Sequence, residues 1–351
     1  MGNRILLLSA IFYFCCGALC RGSPGNTDPL YRSCIEKCEV TGCVNGQCFS
    51  NCKVVVNGDS SELLQSKCPY DAWMQWNCTS ECRYQCMILR EAERQREGQL
   101  PVKYFGKWPF KRVLGLQEPI SVAFSVANLA VHVYGLTSFL YLLHLVLPRR
   151  PQGNRGPYYE YGFPWTVFGI ACVNYWIWSA VFHARDSIPG EKLHHSSAVG
   201  LLGISLIVAI IRAFSLRIEA TQVMVAAPII AFVSTHILYL NFYDFDSGWN
   251  MKVCVILGVL QLALWPIWAV YFSHPSRLKV WFVVLVGAMS MCLQIIDFSP
   301  IWGWVDACAL WQGCMVPLTW LWWSFIKDDA SYRTTQLLRK PQNTRKSKKS
   351  Q

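Results

Sequence analysis

Two pairs of residues in this chain have the spacing of one helical face and side chains able to do chemistry. Ser179 and His183 are four apart, and so are Cys308 and Gln312; residues four apart share a side of a helix. His194, His195 and Asp306 add an imidazole pair and a carboxylate. The chemistry these types could do together is metal-assisted hydrolysis, which needs three protein ligands and an open position for water. His183 qualifies, Cys308 qualifies as a thiolate, and His194 or His195 could be third. Gln312 is a poor zinc ligand, so the set is incomplete. Each residue also has a plainer role. His183 could cap its helix end, and Ser179 could back-bond to its own helix. His194 and His195 could be a solvated loop pair, and Cys308 a small packing residue. Gln312 could hold two helices together, and Asp306 could cap the last helix.

What could bring these residues together is depth in a membrane. Seven apolar stretches reach spanning length, at about 121–147, 164–182, 197–216, 221–240, 251–272, 279–296 and 302–326. The third and fourth read as a tight helical hairpin. Loops 148–163, 213–220 and 273–278 carry Arg149, Arg150, Arg155, Arg217 and Arg277, with Arg212 and Lys279 at span edges. Loop 241–250 carries Asp244 and Asp246 and no Lys or Arg. Positive charge marks the cytosolic side. The second span then ends, and the seventh begins, at the lumenal face, which puts Ser179, His183, Asp306, Cys308 and Gln312 at one depth. Asp and Gln in hydrocarbon are costly and ordinarily face a cavity, a partner or a site.

Composition agrees. Hydrophobic residues make up 53% and charged residues 15% of the chain, with sixteen Trp, and the mean hydropathy is +0.25; this is a membrane-protein profile. The net charge of +11 sits at span ends and in the tail, which argues against nucleic acid as a partner. Residues 1–20 read as a signal peptide: Arg4, a short apolar run, then small residues at Ala18 and Cys20. Residues 21–118 form a lumenal cysteine-rich domain holding Cys34, Cys38, Cys43, Cys48, Cys52, Cys68, Cys78, Cys82 and Cys86. In an oxidising lumen this is a disulfide framework, with zinc binding as the rival. Nine is odd, so one thiol stays free or an uncleaved Cys20 joins. Asn77-Cys78-Thr79 is a glycosylation sequon. Residues 119–326 are the seven-span membrane domain, and 327–351 a basic cytosolic tail. Lys348 and Lys349 near its end resemble a dilysine retrieval signal of the early secretory pathway.

Four stretches carry a wider resemblance: WMQWNCTSECRYQCM at 73–87, KYFGKWPF at 103–110, NYWIWSAVFHARD at 174–186, and DFSP, DACALW and FIKDD between 297 and 329. They resemble the Per-like family of GPI-anchor lipid remodelling factors. That family belongs to a membrane hydrolase superfamily with alkaline ceramidases and adiponectin receptors. The resemblance implies an all-α membrane protein, seven transmembrane helices and an N-terminal disulfide-rich lumenal domain, in the endoplasmic reticulum or Golgi. It implies removal of the unsaturated sn-2 acyl chain from GPI-anchored proteins, an ester hydrolysis of phospholipase A2 type. The superfamily pattern is a Ser and a His on the second span, an Asp near the third, and two His on the seventh, with zinc on the three His. Ser179 and His183 match it. The Asp position falls on His194, and the paired His fall on Cys308 and Gln312. A typical relative would read DAHALWH where this chain reads DACALWQ. Three of five positions therefore differ, which leaves two expectations. One is a deacylase with an altered site, with zinc in doubt and His183 and Cys308 as its ligands. The other is a catalytically inactive member that binds GPI lipid or GPI-anchored clients.

Overall fold

The computed structural model describes residues 23–49, 51–52, 76–148 and 159–347. The signal peptide, Cys68, Arg149, Arg150, Arg155, Lys348 and Lys349 lie outside the described residues.

The chain begins with a small cysteine-rich unit. Helix α1 (Pro29–Thr41) starts where the Asp28 carboxylate accepts from the Leu30 amide at 2.9 Å, and it stops at Gly42, whose φ of 69° suits glycine. A two-residue ribbon follows, β1 (Cys43–Val44) against β2 (Gln47–Cys48). Helix α2 (Cys78–Arg96) is capped by Asn77, whose side-chain oxygen accepts from Ser80 N. Four disulfides staple the unit: Cys34–Cys86, Cys38–Cys82, Cys43–Cys48 and Cys52–Cys78. Two of them join α1 to α2. Eight of the nine cysteines are thereby paired, and the ninth is Cys68. The only metal-capable triad among the described residues, Cys52, Cys78 and Cys82, consists of these bridged sulfurs.

Seven long helices follow. They are α3 (Pro119–Tyr141, closing in a π turn over Leu142–Val146), α4 (Gly162–Ala184), α5 (Ile188–Ala213), α6 (Glu219–Phe242), α7 (Ser247–Tyr271), α8 (Arg277–Ile296) and α9 (Ala307–Ser347). The first six are long and apolar enough to cross a membrane. Helix α9 is not among them: Gln312 and its tryptophans dilute the apolar run, and the helix continues into charged residues. Helix α4 packs on α3 and α5, α9 on α3 and α8, and α7 on α5 and α8, with α6 beside α5. Phe232 on α6 and Phe282, Leu285 and Met289 on α8 stay exposed, as befits a surface wetted by lipid.

Close approach of α3, α4 and α9 is built on glycine. A Cβ at Gly135 would stand 2.2 Å from the Trp323 ring, and one at Gly169 would meet Leu136 at 2.7 Å and Trp323 at 2.9 Å. The sequence puts no side chain where the indole lies.

One expectation changes. The third span begins earlier than 197, because Ser187 caps Gly190 N and Pro189 opens α5. His194 and His195 therefore stand on a helix and not in a loop. Arg212 stands at the span edge, in the last turn of α5, and is paired there. It is 5% exposed and meets Asp329 of α9 at 2.5 Å, while the Tyr159 hydroxyl donates to the same carboxylate. Lys279 likewise pairs with Asp328 at 2.6 Å. These positive residues tie helices together as well as marking a face.

Candidate functional site

At the end of the bundle beneath the cysteine-rich unit, α3, α4 and α9 bring a set of polar side chains together. Helix α3 buries Ser121, Ser125, Asn128, His132 and Gly135 on one stripe. Helix α4 buries Ser179 and His183. Helix α9 buries Gln312, 1% exposed, and opens where the Asp306 carboxylate accepts from Ala309 N at 2.8 Å. Asp306 is thus a cap.

The contacts form one chain. Ser179 Oγ lies 3.0 Å from Ser125 Oγ. Ser125 Oγ donates to Gln312 Oε1 at 3.2 Å. Gln312 Nε2 meets His183 Nε2 at 2.8 Å, and it lies 3.9 Å from Cys308 Sγ. On its other side, His183 Nδ1 is 2.6 Å from Glu118 Oε2, and Lys107 Nζ lies 3.2 Å from Glu118 Oε1. Asn128 Nδ2 donates to the Gln312 backbone carbonyl at 2.8 Å, which fixes the turn of α9 that carries the amide. Burial by itself would raise the Glu118 carboxyl. The Lys107 ammonium and the hydrogen bonds from His183 and Lys107 outweigh that and hold it below the ordinary carboxylate value, so Glu118 is a carboxylate.

Ser179, His183 and Gln312 are therefore brought together, and Cys308 stands at their edge. His194 does not join them by hydrogen bond. Its ring stacks on Phe182 with centroids 4.8 Å apart and faces the His183 ring at 6.0 Å; its Nδ1 has no hydrogen-bond partner among the described residues. His195 turns away to Asn250, at 3.1 Å. Sequence reasoning misses Glu118, Lys107, Ser125 and Asn128. The signal for two of them is there: polar or small residues at 121, 125, 128, 132 and 135 recur at steps of four and three in an otherwise apolar helix, which is one buried face.

The donor set does not fit a zinc centre. Four-coordinate zinc takes imidazole, thiolate or carboxylate ligands. The one imidazole in this chain of contacts, His183, has one nitrogen on Glu118 and the other on an amide. That amide offers N–H where the superfamily pattern would place a lone pair, and its oxygen is taken by Ser125. Cys308 remains as a lone soft donor.

A cavity of about 1060 Å³ opens over this floor. His183, Cys308, Asp306 and Lys107 line it, as do Trp76 and Arg83. It is large for a small-molecule site.

Residues 69–330 match the Per1-like family. A zebrafish (Danio rerio) protein named GPI-specific phospholipase A2-like PGAP3 is 31% identical over 90% of this chain and 93% of its own. A Mus musculus protein of the same name is 30% identical over 90% and 91%. A Schizosaccharomyces pombe protein named Protein PER1 homolog is 31% identical over 90% and 89%. No solved structure matches. With the family model covering well over half of its length, the chain belongs to the Per1-like family.

Proposed function

We propose that this protein works in GPI-anchor lipid remodelling, removing the unsaturated sn-2 acyl chain of GPI-anchored proteins to leave a lyso-GPI, at a rate well below that of a relative reading DAHALWH. The names of the relatives support the pathway. The observation that carries the reading is the cavity of about 1060 Å³ lined by His183 and Cys308 at the ends of membrane helices. We place seven spans in the membrane, with the cysteine-rich unit lumenal and the tail cytosolic, in the endoplasmic reticulum or Golgi. In this arrangement the cavity faces the lumen, where GPI-anchored proteins are.

The slow rate follows from the site. In the superfamily pattern, zinc would acidify bound water and polarise the ester carbonyl. Here Gln312 takes the lone pair of His183 that a metal or a proton would use. That same contact favours a second reading, a family member that binds GPI lipid or its clients without cleaving it. Expression in cells lacking their endogenous remodelling factor separates the two, read by the sn-2 acyl composition of GPI anchors. The wild-type chain should rescue weakly, and the triple variant His194→Asp, Cys308→His, Gln312→His should rescue better. Full rescue by the wild type, abolished in His183→Ala, would overturn the slow-enzyme reading. No rescue by either would leave the binder.

A further inference from the structure

We propose that Glu118 and Lys107 are positioning residues for His183, and that through them the cysteine-rich side of the molecule sets which imidazole nitrogen carries the proton. Glu118 is the residue before α3, and its backbone N–H donates to the His183 carbonyl at 3.1 Å. Its side chain then turns back to His183 Nδ1, so one residue holds both the end of α4 and the ring on it. The carboxylate is 5% exposed and can only accept. Nδ1 must therefore be the N–H. In a neutral imidazole Nε2 is then the acceptor, and it accepts from the Gln312 amide, which agrees with Gln312 Oε1 receiving the Ser125 hydroxyl. The chain of donors is self-consistent in this direction.

Lys107 fixes the carboxylate in turn. It belongs to the segment between α2 and α3, and its ammonium lies 4.0 Å from the centre of the Phe182 ring. It lies against one Glu118 oxygen and leaves the other for His183. Neighbouring contacts hold that segment in place. Lys103 pairs with Asp297, Trp108 Nε1 donates to Asp297 at 3.0 Å, and Arg112 pairs with Glu81 of α2 at 3.1 Å. A buried carboxylate is tolerated where such partners satisfy it. Its effect is to leave the basic nitrogen of His183 facing the Gln312 amide.

The test reads the proton directly and does not depend on hydrolysis. The full chain, labelled with ¹⁵N-histidine and purified in detergent, gives nitrogen shifts that distinguish the two tautomers, and a His183→Asn variant assigns the signal among the seven histidines. Wild type should show His183 protonated on Nδ1. Glu118→Gln keeps shape but leaves one oxygen, which Lys107 claims. The amide N–H₂ then faces Nδ1, and the proton should move to Nε2. Adding Lys107→Met frees the amide to turn, and the proton should return to Nδ1. A wild-type His183 protonated on Nε2, or a Glu118→Gln chain that keeps Nδ1–H, would overturn the proposal. A double variant that stays on Nε2 would remove Lys107 from it.

Discussion

Gln312 sits at the centre of the site's polar contacts. It touches Ser125, His183 and Cys308 through its side chain and Asn128 through its carbonyl. An amide can do this because it donates on one end and accepts on the other; a histidine in its place would have one donor and one acceptor on a rigid ring. Its removal should therefore cost stability as well as alter chemistry. Gln312→Ala leaves the buried Ser125 and His183 groups short of partners, a loss of about 1–3 kcal/mol each at most. We expect a lower melting temperature in detergent, and an unchanged one would show that water replaces the amide at no cost. The site residues that spacing reveals are the ones on helices with a clear pattern: Ser179 with His183, and Cys308 with Gln312. Glu118 and Lys107 are not legible, because they act from a segment without periodicity, and only the fold brings them to His183.

Helices α3, α4 and α9 hold the site through one indole and two glycines. Trp323 fills the space beside Gly135 and Gly169, and its Nε1 donates to His132 at 3.1 Å. Gly135→Val should force α3 and α9 apart. Overpacking of this kind costs typically about 1–3 kcal/mol, so a marked drop in melting temperature and in yield is expected; wild-type stability would mean that the helices can separate freely. In the cysteine-rich unit, breaking Cys38–Cys82 by Cys82→Ser should cost about 2–5 kcal/mol and hold the protein in the endoplasmic reticulum. Normal export of that variant would contradict a structural role for the bridge. The start of α5 is legible in the sequence by a different signal from hydropathy. Ser187, Pro189 and Glu191 are ordinary marks of a helix start, whereas the apolar run alone sets the boundary at 197 and puts two histidines in a loop.

Across the whole molecule, two of the stretches that carry the family resemblance meet directly, and others close on residues outside them. KYFGKWPF meets DFSP through Lys103, Trp108 and Asp297. NYWIWSAVFHARD meets the start of α3 through Gln117 and Glu118. FIKDD closes the opposite end of the bundle on Arg212 and Lys279. The pattern in the sequence is of separate motifs; the joins between them need three dimensions. With the proposed orientation, Asn77 should carry glycan, since it heads a lumenal sequon, and an epitope on the C-terminus should be reachable once the plasma membrane alone is opened. A protected tail would contradict it. Lys348→Ser with Lys349→Ser should move the protein toward later compartments, and an unmoved protein would reduce those lysines to part of a basic tail.

The proposed activity is slow hydrolysis of the lipid of GPI-anchored proteins at a site where Gln312 occupies His183 Nε2. The most direct measurement is made on the purified full chain in detergent micelles with a defined GPI-anchored protein. Free fatty acid and lyso-GPI are followed by mass spectrometry for the wild type, for His183→Ala and for the triple variant His194→Asp, Cys308→His, Gln312→His. Wild type should release the sn-2 chain slowly, His183→Ala not at all, and the triple variant faster with zinc supplied. Wild-type release as fast as the triple variant's, or release that survives His183→Ala, would contradict the proposed activity.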